Sequence, residues 1–229
     1  MNKVGKLHSV LVVGLALALS SPALGQRTGT RINKNANAPN SISDTSVNSA
    51  IIVNNGFGQC LARREGKSML AVLDLPLLAA EQRKGLDRLT TQFDGCLGDS
   101  SEFDELQYSN LLVVGGAAEY FVGTQLKKAN LSSLVGMTDD ALMETEFRPR
   151  TELEDLGLCV VRRDITKAQA LLSSKPTSNT EKEAIKAIVP ELGPCVSAGS
   201  ELQLNAPNVR ALVALALYRA ASKLEANDG

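Results

Sequence analysis

Two stretches 99 residues apart, FGQCLARRE at 57–65 and LGLCVVRRD at 156–164, carry one pattern. Phe57/Leu156, Gly58/Gly157, Cys60/Cys159, Arg63/Arg162, Arg64/Arg163 and Glu65/Asp164 correspond at that offset. The match runs on. Pro76 and Glu81 recur as Pro176 and Glu181 after a one-residue slip, and Cys96 recurs as Cys195 back at the original offset. ELQ at 105–107 returns at 201–203, and Tyr120 returns as Tyr218. A long period seen twice predicts an internal duplication rather than a solenoid. The chain therefore divides into unit 1 over 49–126, a linker over 127–150, unit 2 over 151–225 and a tail over 226–229.

Each unit reads as four helices. Val53, Phe57, Cys60 and Leu61 recur at helical spacing, and Leu153, Leu156, Cys159 and Val160 repeat them. Thr151 and Glu154 have the spacing of a capping box, as do Thr180 and Glu183. Short helices over 67–74 and 166–173 stop at Pro76 and Pro176. A third helix carries Leu86, Leu89 and Phe93, or Ile185 and Ile188, and Pro190 is expected to shorten or kink the second copy. The fourth helices, 110–124 and 207–224, are apolar nearly all round, which marks the centre of a bundle. LQY at 106–108 and LQL at 202–204 alternate and predict one short strand per unit, paired with each other. The fold expected is all-α: two four-helix units about a pseudo-two-fold, with one small β pairing.

Four cysteines allow three pairings. If each unit descends from a self-sufficient ancestor, its pair is internal, giving Cys60–Cys96 and Cys159–Cys195. The start of the chain points to a compartment where disulfides persist. Lys3 and Lys6 precede an apolar run from Val10 to Leu19, too short for a bilayer of ~30 Å. Ala23-Leu24-Gly25 then offers a signal-peptidase site. Residues 1–25 read as a signal peptide cleaved near Gly25–Gln26, with export to the periplasm or beyond. Residues 26–48, polar and Asn-rich, read as a disordered spacer.

Composition removes several functions. Taking the two signal lysines from 24 basic residues leaves 22 against 25 acidic ones, which disfavours nucleic acid and anionic membranes. The later apolar stretches carry Glu119 and Arg210, so no integral membrane segment is expected after cleavage. The one histidine, His8, lies in the signal, which removes Ser-His-Asp and Cys-His catalysis and the commonest metal ligand. Neither a cofactor nor a metal is implied, and no catalytic residue is assigned. Carboxylates at Asp139, Asp140, Glu152, Glu154 and Asp155 suit a linker surface and a helix N-terminus better than a catalytic pair.

Arg64 falls about 40° from Cys60 around the helix, toward the apolar face, and Arg163 repeats it. A buried guanidinium takes a carboxylate. Glu81 and Glu181, with Glu105 and Glu201 behind them, are acids present in both copies. The expected arrangement is an internal brace pairing Arg64 and Arg163 with Glu81 and Glu181. An anion site at these arginines is the rival.

The doubled Cys-x-x-Arg-Arg, followed by Pro, Glu, Cys and an apolar helix ending in ALYR at 216–219, resembles uncharacterised exported proteins of alphaproteobacteria. The resemblance covers about 49–225 and implies an all-helical, disulfide-stapled envelope or secreted protein. The first copy departs from it with AEYF at 118–121. The function expected is non-catalytic: binding or structural, with a protein partner left open. A carboxylate/arginine hydrolase of an envelope polymer and an inhibitor of another exported protein are the alternatives.

Overall fold

A computed structural model describes residues 29–33, 44–92, 94–96, 105–196 and 204–227. The predicted signal, 1–25, lies outside them. The order is β1 (Gly29–Asn33), α1 (Asp44–Arg64), α2 (Gly66–Leu73), α3 (Ala80–Gln92), β2 (Glu105–Ser109), α4 (Asn110–Thr124), α5 (Asp139–Met143), α6 (Glu152–Arg163), α7 (Ile165–Ser173), α8 (Asn179–Leu192) and α9 (Ala206–Asn227). Short 3-10 turns at Asp94–Cys96 and Gly193–Cys195 follow α3 and α8.

The apolar helices are central. α4 packs between α1 and α9, and α9 packs between α4 and α6. Opposite faces of α9 serve two cores. Ala211, Leu212, Leu215 and Tyr218 join Phe57, Leu61 and Phe121. Val213, Leu217 and Ala220 join Leu158, Val161 and Ile188. Backbones approach closely where glycine removes the Cβ. A Cβ on Gly58 would lie 2.1 Å from the Val113 carbonyl, and one on Gly157 would lie 2.7 Å from that of Leu212. Both contacts keep the 99-residue offset. Gly115 meets Ala211 in the same way, across the α4–α9 contact.

Cys60–Cys96 and Cys159–Cys195 are both bonded, with Cα atoms 5.6 and 5.7 Å apart. Each staples a first helix to the turn after a third.

Several expectations need correction. The strand at Glu105–Ser109 exists, but its antiparallel partner is Gly29–Asn33, with Thr30 opposite Tyr108. Leu204 is in no strand, and 201–203 lie outside the described residues. The spacer expected to be disordered therefore supplies β1 and, from Asp44, the start of α1. Polar composition gives such a segment little to bury by itself, whereas β2 offers it a ladder of backbone hydrogen bonds. The 127–150 linker contributes Leu131, Leu134, Leu142 and Phe147 to the second core. α8 runs through Pro190 to Leu192, and it is capped by Ser178, whose side chain accepts from Glu181 N, instead of by Thr180.

Candidate functional site

The buried charges lie on the central helices. Arg210, near the start of α9, is 4% exposed. Its Nε and Nη2 donate to the two oxygens of Glu119 on α4, at 2.7 and 3.0 Å. Its Nη1 donates to Glu181 at 3.1 Å and to the Leu171 carbonyl at 3.0 Å, and Nη2 reaches the Leu172 and Ser174 carbonyls. One guanidinium thus bridges two carboxylates and caps the end of α7. Asn55 of α1 completes the group by donating to Glu119 at 3.1 Å.

Arg219, further along α9, forms a second lock. Its Nη1 lies 2.6 Å from Glu154 Oε1, and its Nε and Nη2 donate to the Leu73 carbonyl at 3.1 and 2.9 Å. Nη2 also reaches the Leu75 carbonyl. Glu154 accepts from the backbone of Leu77 at 2.5 Å and of Arg150 at 2.7 Å. The Thr151 hydroxyl does cap Glu154 N, at 3.3 Å. The Glu154 carboxylate is drawn off the capping box into the lock.

The locks occupy matched places. Leu73 and Leu75 precede Leu172 and Ser174 by 99 residues, and Asn55 precedes Glu154 by the same interval. The expected match of Glu81 with Glu181 is therefore replaced. Gln82 accepts from Leu78 N at 2.8 Å, and Glu181 accepts from Thr177 N at 2.6 Å. Leu78 and Thr177 both have positive φ, 62° and 63°. No one-residue slip is needed.

Burial pulls the two pairs differently. Burial pushes the Glu119 carboxyl above its ordinary value despite Arg210 and Asn55. The Arg210 guanidinium is also destabilised by burial, but bonds and fields from Glu119 and then Glu181 outweigh this and hold it up. For Glu154 burial is again the largest influence and raises it, yet Arg219 and the Leu77 and Arg150 amides together win, and the carboxyl sits low. Arg219 itself is lowered by burial. Three donors, the Arg219 guanidinium and the Leu77 and Arg150 amides, converge on Glu154 and hold its carboxylate ionised.

The expected brace at the repeated arginines is absent. Arg64 and Arg163 are exposed, as is Glu81, at the first turn of α3. Glu181 is buried, but its partner is Arg210. All four cysteines are half-buried, so the disulfides lie at the rim of each core and a residue beside them faces outward. The Arg64 guanidinium lies against Gly95, within the disulfide-bearing turn. Arg163 pairs with Glu191 at 3.0 Å, the arginine side chain 44% exposed. Arg163→Ala should therefore lower stability by under about 1 kcal/mol. A Tm fall beyond about 4 °C would contradict the exposed arrangement. Arg162 instead ties α6 to the start of α5, through Asp139 at 2.9 Å and the Met137 carbonyl. The side chains of Glu105 and Glu201 lie outside the described residues.

One sizeable cleft opens beside the first lock. Its volume is about 570 Å³, and it runs between the second half of α4, the chain after it, α7 and α9. Val122, Leu126, Leu131, Leu172 and Leu217 form its walls. Gln59, Thr124, Lys127, Gln169 and Ser173 bring polar groups to it, and Glu119 lines it as well. The large apolar side chains that are most exposed are Val47 and Ile52 on α1, Val135 before α5, Met143 on α5 and Val189 on α8.

No family model, no curated protein and no solved structure matches the chain.

Proposed function

We propose that this is an exported, non-catalytic binding protein, built from two copies of one ancestral helical unit about a pseudo-two-fold, that holds a small ligand in the α4–α7–α9 cleft. Export is supported by the n-region, apolar run and small-residue site of 1–25 and by two disulfides. Among the described residues no helix is long and apolar enough to cross a membrane. The duplication is supported by the matched glycine contacts, disulfides and positive-φ turns.

The cleft carries the binding reading. Its volume falls within the ~300–1,000 Å³ of small-molecule sites, and its mixture of apolar walls and few polar groups is theirs too. The hydrolase reading loses Glu154, one of its candidate carboxylates, and gains no free carboxylate at Glu119. Glu119, at the cleft, has both oxygens held by Arg210, and Glu154 is consumed by Arg219. Titrating the mature protein with an environment-sensitive apolar fluorophore tests the proposal. One saturable site, lost when a bulky side chain is placed in the cleft, is the expected result. Unsaturable, weak uptake would overturn it.

A further inference from the structure

We infer that the cleft takes a single-chain amphiphile, its apolar chain along α7 and α9 and its anionic head at Lys127. This rests on the binding reading above and names the ligand class.

Charge fixes the head. Lys127 is the one cation among the lining residues, is exposed, and has no carboxylate within ion-pair distance among the described residues. The one lining acid, Glu119, has both oxygens held by Arg210, at 2.7 and 3.0 Å. Lys127 is therefore the one lining charge without an ion-pair partner among the described residues, and Gln59, Thr124, Gln169 and Ser173 add amide and hydroxyl groups to the same lining. An anion there meets a partner, whereas a cation meets only repulsion.

The apolar walls of Val122, Leu126, Leu131, Leu172 and Leu217 fix the tail, and two lining residues have counterparts at a place the protein fills itself. Gln59 and Tyr120 of the cleft precede Leu158 and Arg219 by 99 residues. Leu158 and Arg219, with Phe147, Pro149 and Glu154, line a space of only about 10 Å³. Phe147, delivered by the chain between the two halves, is 6% exposed. There the protein fills the position with its own apolar ring and its own guanidinium. At the cleft, Tyr120 stands where Arg219 would reach across, and the passing chain delivers Leu126, Ala129 and Leu131 to the wall. At the cleft no aromatic ring from the passing chain fills the space, which leaves its apolar walls open to a chain from outside.

The test uses the full mature chain with three probes of one chain length: dodecanoate, dodecanol and dodecyltrimethylammonium, each below its self-association concentration. Calorimetry should show dodecanoate filling one site, at least about tenfold tighter than the cation. Lys127→Glu should invert that order. Gly123→Trp should abolish binding. Gly123 lines the cleft, and a Cβ built there meets nothing within 4 Å, so the variant should melt no lower than the native chain. Equal affinity for dodecanoate and the cation would overturn the anionic head while leaving the cleft as a binding site. Failure of all three probes would overturn the binding reading itself. Full affinity in Gly123→Trp would place the site elsewhere and overturn both. If that variant does not fold, the order of the probes on Lys127→Glu decides the question alone.

Discussion

Arg210→Ala is expected to lose about 3–5 kcal/mol of unfolding free energy at neutral pH, the range for removing one partner of a buried pair. Two carboxylates, Glu119 and Glu181, share this guanidinium, and both are nearly inaccessible, with side chains 8% and 7% exposed. Its removal leaves both without a countercharge and also uncaps the carbonyls of Leu171, Leu172 and Ser174. The deficit should depend on pH in a defined sense. Burial already raises Glu119 in the native protein, and without Arg210 nothing opposes that strongly. A carboxyl whose folded value lies above the unfolded one, about 4.3, penalises the folded state as pH rises through that interval and not below it. Urea melts should therefore show a smaller gap between Arg210→Ala and the native chain near pH 4 than near pH 8. Arg210→Lys should recover only part, because an ammonium cannot present the planar fork that spans Glu119 and the end of α7. A loss below about 1 kcal/mol would show that the cluster is open to water.

The sequence made the helices, the disulfides and the burial of α4 and α9 legible, because each follows from local periodicity or from the doubled spacing. It located the braces wrongly, for a reason that Arg64 illustrates. Helical geometry puts Arg64 on the same side as Cys60, but it does not say whether that side is the centre of the core or its rim. Phe57 and Leu61 are fully buried while Cys60 is half-buried, so the core is centred on the far side of Leu61 from the disulfide. The signal for the true braces was present in other residues. Glu119, Arg210 and Arg219 are charges inside helices that are otherwise apolar on every face, and such a charge must find a partner in the core. Their partners could not be read off, because Glu154 and Glu181 come from the N-terminal turns of α6 and α8, where acids are ordinary. The cleft was illegible as well. Its walls come from α4, the chain after it, α7 and α9, elements distant in sequence whose approach no local pattern encodes.

Glu154→Gln should act on the joint between the two halves. The lock ties α6 and α9 to the end of α2: Arg219 takes the Leu73 and Leu75 carbonyls, and Glu154 takes the Leu77 amide. Removing the carboxylate charge leaves Arg219, which stays protonated, buried without a counter-ion, at a cost of about 3–5 kcal/mol. The native Glu154 carboxyl is held below its unfolded value, about 4.3, so the stability it contributes is complete above that value and is lost as pH falls from there through its folded one. Glu154→Gln should consequently have a flatter acid limb than the native chain, with the two curves converging at low pH. A double-mutant cycle with Arg219→Met separates the pair from its surroundings. Coupling above about 1 kcal/mol is expected, and a value under about 0.5 would mean the two side chains act independently. Because the lock bridges the end of α2 and the α6–α9 pair, weakening it should also lower the urea slope, or split the transition as the first half unfolds before the second. A single transition of native slope would show instead that the α4–α9 packing alone couples the halves, with the Arg219 lock adding stability but no cooperativity.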